Sequence, residues 1–176
     1  MIKYFHRNLL DIDRPFIMAH GCNMLGVMGS GVAKAIKDRW PGCYNLYKRQ
    51  IADGFVELGD VVTYQVPDVY GSYVVNCLTQ ETTGAGLQVD YEAIRDSIET
   101  TLIFAKHNGF KHIDTVPLGA GLGGGDWKII SKIFHILSEK YNVDILVSVY
   151  DEPTFIDVQA KDYWAGVSLE STKTPT

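Results

Sequence analysis

The chain has 176 residues, 46% hydrophobic and 21% charged, which suffices for one well-buried core and is too little for two ordinary domains. Its net charge of −5 argues against duplex nucleic acid as the main partner, because phosphate-backbone binding runs on clustered Lys and Arg. Cys22, Cys43 and Cys77 show no CxxC or Cys/His metal spacing, and there is neither an apolar leader nor a membrane-length apolar run, so reduced thiols, no metal, no cofactor, no membrane contact and a cytoplasmic setting are expected. In chain order, Met1 to His6 and Phe16 to His20 read as strands, Ser30 to Arg39 as a helix ended by Trp40-Pro41-Gly42, and Tyr44 to Asp53 as a second helix closed by Gly54. Strands at Asp60 to Val66 and Ser72 to Leu78 flank the Pro67-Asp-Val-Tyr-Gly71 turn, a hairpin that makes the sheet mixed. Tyr91 to His107 is the longest helix, with Ile94, Ile98, Leu102 and Ala105 on one face and Gly109 as its stop. Lys111 to Leu118 is then a strand, Trp127 to Tyr141 a helix, and Asp144 to Tyr150 a last buried strand.

This alternation predicts an α/β sheet covered on both faces. After Asp151 the pattern dissolves, so residues 152–176 read as a tail, poorly ordered through the terminal Ser-Thr-Lys-Thr-Pro-Thr, from which Tyr163 and Trp164 can dock onto the domain or a partner.

Glycines concentrate in Gly26-Val-Met-Gly-Ser-Gly31 and in Gly119-Ala-Gly-Leu-Gly-Gly-Gly125, each between a strand and a helix. A loop without Cβ atoms can turn its N–H groups toward an anion and let it come close, and the following helix adds partial positive charge. Five glycines in seven residues carry an unfolded-state entropy cost on the order of half a kcal/mol each, which is easier to understand if a ligand approaches the backbone. Neither the P-loop nor the Gly-x-Gly-x-x-Gly spacing fits. A tight strand-to-helix turn is the plain alternative for the first loop, and capping of the helix at Trp127 is the plain alternative for Asp126.

His20-x-x-Asn23, the Gly29-Ser-Gly31-Val-Ala-Lys-Ala-Ile36 loop and helix, and Pro117-Leu-Gly-Ala-Gly-Leu-Gly-Gly-Gly-Asp-Trp127 together resemble the macrodomain family, with matching order and spacing from about Ile2 to Tyr150. The resemblance implies a macrodomain over residues 1–151, a three-layer α/β/α sandwich around a mixed, mostly six-stranded sheet, with an ADP-ribose cleft across the two loops. It implies that Asn23 binds the distal ribose, that the amides of Gly29, Ser30, Gly31 and Val32 face that ribose and its phosphate, and that Gly119, Ala120, Gly121, Leu122, Gly123 and Gly124 line and wrap the diphosphate. Tyr150 would flank the adenine; a core tyrosine with its hydroxyl at the surface is the alternative.

Three departures from the family pattern stand out. Leu9, with Leu10 beside it, occupies the adenine-reading acidic position, and Asp11 follows two residues later. Gly123 stands where an aromatic shield, or in one branch a catalytic aspartate, is common, and Thr79-Gln80-Glu81 replaces that branch's lysine. His20 before Gly-Cys-Asn is similar to the branch that hydrolyses ADP-ribose 1″-phosphate, which implies His20 as general acid/base or water orienter and Asp126 as a second catalytic candidate. The alternatives are a histidine hydrogen-bonded inside the strand bundle, an enzyme that removes ADP-ribose from protein or nucleic acid, and a non-catalytic reader.

Overall fold

The computed structural model describes residues 1–166, which build one sheet in the strand order β1-β6-β5-β2-β4-β3. The strands are β1 (Ile2–His6), β2 (Ile17–Asn23), β3 (Val61–Gln65), β4 (Tyr73–Gln80), β5 (His112–Thr115) and β6 (Asp144–Val149). All pairings are parallel except β3 with β4, where the expected hairpin makes the sheet mixed. The helices are α1 (Gly31–Arg39), α2 (Pro41–Ala52), α3 (Tyr91–His107), α4 (Trp127–Tyr141) and α5 (Glu152–Lys161).

Apolar side chains on the two sheet faces dictate the layers. Ile94, Ile98 and Leu102 of α3, Ile130 and Phe134 of α4, and Val158 of α5 pack on one face with Ile17, Ala19 and Val75. On the other, Ile36 of α1 and Cys43 of α2 meet Phe16, Met18 and Val74, and Tyr47 of α2 meets Leu78. The result is the expected three-layer sandwich, in which β2 and β4 run through the centre with both faces covered.

Helix ends follow local chemistry. Asp90 caps α3 by accepting from Ala93 N at 2.9 Å, and Asp126 caps α4 by accepting from Lys128 N at 3.0 Å. Asn142 closes α4 in the left-handed conformation, φ 52°. Trp40-Pro41-Gly42 is a corner rather than a gap, because Pro41 fits the first turn of α2 and starts it at once. The strand expected from Lys111 to Leu118 leaves the ladder after Thr115, just before Pro117.

Residues 152–161 correct the expectation of an irregular tail. Asp151 accepts from Thr154 N at 2.9 Å and Pro153 sits in the first turn, so the sequence around that proline starts a helix instead of ending order. Only Val158 of α5 is buried, which is why no apolar period announced it. Asp162 fixes the helix end: it accepts from Tyr4 Oη and from His135 Nε2 at 2.5 and 2.9 Å. Trp164 is half-buried near Lys132, whereas Tyr163 is exposed. The expected disorder of the terminal Ser-Thr-Lys-Thr-Pro-Thr falls outside the described residues.

Candidate functional site

The parallel strands β2, β4, β5 and β6 end on one edge of the sheet, and the residues just past those ends surround a groove. It has two adjoining hollows of about 510 and 520 Å³ that share Gly21, Ser30, Ala33, Gln80 and Leu122, sizes usual for small-molecule sites. The two glycine turns are its opposite lips. Leu122 of the second turn reaches across to Gly31 of the first.

The first turn is shaped by Asn23 at the end of β2. Its Oδ1 accepts from Leu25 N at 3.0 Å and Val27 N at 3.4 Å, and its Nδ2 donates to Val27 O at 3.0 Å. Tyr47 Oη lies 2.6 Å from Asn23 O and 2.9 Å from its Oδ1, securing the same turn from α2. One Nδ2 hydrogen remains for the second hollow, which Asn23 lines. Ser30 is the N-cap of α1 with no side-chain capping bond, and the Gly31, Val32 and Ala33 amides have no partner among the described residues. Those three donors open at a positive helix end onto the groove. Gly31 takes φ +59°, which a side chain would strain.

The second turn folds on itself. Gly125 N donates to Gly119 O at 2.8 Å and Gly124 N to Gly121 O at 3.1 Å, while Gly123 O accepts from Gln88 N and Val89 N. The Gly121, Leu122 and Gly123 amides are left without a partner among the described residues. Gly124 differs from its expected role: its N–H is used inside the turn, it does not line the groove, and a Cβ there would clash with Gly86 O. Its absent side chain lets the 84–87 loop pack close. Gly123 lines the groove, but the space beside its Cα is filled by Val89 Cγ1 and Gly119 O, so the side chain standing over the groove is Leu122, 73% exposed.

The structure does not bring His20 to the groove. Its side chain is 0% exposed and points into the core between the sheet and α2, below the groove, where Nε2 donates to Asn76 Oδ1 at 2.6 Å and Cys22 Sγ lies 3.6 Å away. Burial pulls its pKa down to about 4, against a weaker upward pull from the Asn76 hydrogen bond, so it is neutral near pH 7 and makes a core contact. The expected acid/base role for His20 is corrected to the plain alternative. Leu9 and Leu10 also miss the groove, with Leu9 buried in the α1/α2 core and Leu10 packed against it. Asp126 does line the groove, with Oδ1 engaged in capping. Tyr150 borders it at 77% exposure, which removes the core-tyrosine alternative.

Several lining residues went unseen in the sequence. Thr154, Asp157, Val158 and Lys161 of α5 form a wall of the first hollow, and Thr79 and Gln80 close the end of β4. The Asp151-Glu-Pro153 capping pattern was the available signal for α5. Lys161 is the one cation among the described lining residues, and Asp157 Oδ2 holds it at 2.9 Å. Burial pushes the Cys22 thiol up, with smaller contributions from Cys77 and Cys43, so this groove-lining cysteine is no thiolate.

A family model described as "Macro domain" matches residues 19–134. An uncharacterised 17.5 kDa protein of Enterobacteria phage T4 is 31% identical over 137 residues, 73% of this chain and 84% of that protein. A DNA ADP-ribosyl glycohydrolase of Thermus aquaticus is 26% identical over 84% of this chain, but the chain spans only 41% of that protein. An ADP-ribose 1″-phosphate phosphatase of Scheffersomyces stipitis is 26% identical over 83% of this chain and 100% of its own length. Among solved structures, the macrodomain of Thermus aquaticus DarG superposes with a TM-score of 0.72 at 25% identity, covering 86% of this chain and 98% of that one.

Proposed function

The chain belongs to the macrodomain family, and on that premise we propose that it binds ADP-ribose along the groove, with the diphosphate between the glycine turns, the distal ribose toward Asn23 and Gly29, and the adenine toward Tyr150 and α5. The observation that carries this reading is the opposition of two sets of unpartnered amides, Gly31 to Ala33 on one lip and Gly121 to Gly123 on the other. Fixed amides and the α1 dipole can hold a diphosphate where the one cation among the described lining residues, Lys161, is already paired. That arrangement also suits the chain's negative net charge, since the ligand is gripped by backbone dipoles.

We further propose that the bound ligand is processed at its 1″ position, by hydrolysis of the phosphate monoester of ADP-ribose 1″-phosphate. The unpartnered amides are suited to the charge that builds on the phosphoryl oxygens. Asn23 would orient the ribose, and the Asp126 carboxylate would position the attacking water. A lysine-adduct route to removing ADP-ribose from a macromolecule has less support, because the one lysine among the described lining residues, Lys161, is on α5 at the adenine end of this pose. Relatives carry both activities in their names, so the substrate decides between them.

Calorimetric titration with ADP-ribose tests the binding, and the absence of heat would end this reading. Phosphate release from ADP-ribose 1″-phosphate, reduced in Asp126→Asn with ADP-ribose binding kept, is the expected result. Release of ADP-ribose from modified DNA with none from the monoester would favour the glycohydrolase; neither, with binding intact, would make the protein a reader.

A further inference from the structure

We propose that Thr79 and Gly21 form a notch in the floor of the groove that reads one hydroxyl of the distal ribose; this rests on the ADP-ribose reading above. Thr79 lies on β4, two residues past Cys77, and so faces the α3/α4 side, beneath the second glycine turn. Its Oγ is fully buried and has no hydrogen-bond partner among the described residues, the one such buried side-chain oxygen or nitrogen there. Other buried hydroxyls donate to carbonyls: Thr115 to Ala19 O at 2.8 Å, Thr101 to Ser97 O at 2.8 Å, and Ser138 to Val143 O at 2.7 Å. An unpaired buried hydroxyl opposes folding, and valine would fill the same volume without that cost.

Gly21 explains where the hydroxyl is meant to be used. It lines both hollows, and a Cβ on it would stand 3.0 Å from Thr79 Oγ and 3.7 Å from Leu118 Cγ. Any larger residue would seal the hydroxyl off from the groove. With no β-carbon on Gly21, only its bare backbone stands between Thr79 Oγ and the floor of the groove. The atoms nearest that Cβ position are Thr79 Oγ and two Leu118 side-chain carbons, so a phosphate oxygen is poorly served there, whereas a neutral hydroxyl can both give and take a hydrogen bond with threonine. The amides of the two lips serve the phosphates, which assigns the notch to the sugar between them.

The experiment is calorimetry on wild type, Thr79→Val and Gly21→Ala with ADP-ribose and with ADP, alongside thermal melting. Thr79→Val is expected to melt no lower than wild type, bind ADP-ribose about tenfold more weakly, and bind ADP as wild type does. Gly21→Ala, whose methyl blocks the opening, is expected to show the same selective loss. Unchanged ADP-ribose affinity in Thr79→Val, or an equal loss for ADP, would overturn the notch. So would a lowered melting temperature with both affinities reduced, since a structural role does that. Wild type that binds no ADP-ribose would fail the underlying reading and take the notch with it; wild-type binding with an indifferent Thr79→Val fails the notch alone.

Discussion

Leu122 Cδ1 stands 3.7 Å from the position a β-carbon on Gly31 would occupy, so the two glycine turns meet through this single side chain. Contact between loops about ninety residues apart in sequence makes them two sides of one site. A β-carbon on Gly31 would meet Leu122 at ordinary contact distance, so the strain of a substitution there comes from the positive φ.

Gly31→Glu is therefore expected to reduce ADP-ribose affinity at least a hundredfold, since a carboxylate would stand among the amides proposed to face the phosphate. The positive φ adds about 1 kcal/mol of backbone strain. Calorimetry with circular dichroism checks this; a folded variant with wild-type affinity would remove the first turn from the site.

Tyr150→Ala should leave the melting temperature within about 1 °C, because the ring is 77% exposed. If the ring covers the adenine, the variant should weaken ADP-ribose binding roughly fivefold, in line with about 1 kcal/mol for an aromatic contact. Ribose 5-phosphate, which has no base, should not distinguish the two proteins.

His20 should leave a mark on stability rather than on turnover. Its folded pKa of about 4 lies below the ordinary value near 6.5, so the unfolded chain binds the proton first as pH falls. The stability of the neutral core contact is complete above pH 6.5 and is lost progressively down to about pH 4, a change of roughly 3 kcal/mol. Urea unfolding of wild type and His20→Asn across that window checks it: the variant should show a shallower loss, and parallel curves would contradict the assignment.

Asp162→Ala should loosen the α5 wall. The carboxylate accepts from Tyr4 Oη, His135 Nε2 and Trp164 N, and Trp127 Nε1 donates to Tyr4 Oη at 3.1 Å, tying α5 to β1 and α4. Burial pushes the Asp162 pKa up, but the bonds from His135 and Tyr4 outweigh it and hold it below the usual range, so the anchor weakens as pH falls. Losing it is expected to cost about 2 kcal/mol, read as a melting temperature lowered by roughly 4–8 °C and faster amide exchange in α5. Exchange that stays slow would mean Val158 alone seats the helix.

Much of the fold was legible because local signals agreed with it. The apolar period of α3 between Asp90 and Gly109, the Asp126 cap of α4 and the turn between β3 and β4 each state their element within a few residues. The glycine turns were legible as close-approach turns between a strand and a helix, since each breaks the periodicity immediately before a helix start. α5 was not, because one buried residue makes no period and Pro153 reads equally as a helix start or a stop.

The sequence by itself determined the α/β alternation, the two turns and the residues near them, all matters of spacing along the chain. Tertiary structure alone decided which of the neighbours His20 and Gly21 meets the groove. Consecutive strand residues point to opposite faces, and β2 is buried on both, so no polar alternation marks the ligand side. Pairing with β4 and packing under α1 and α2 turn His20 into the core against Asn76, and leave the bare edge of Gly21 to the groove.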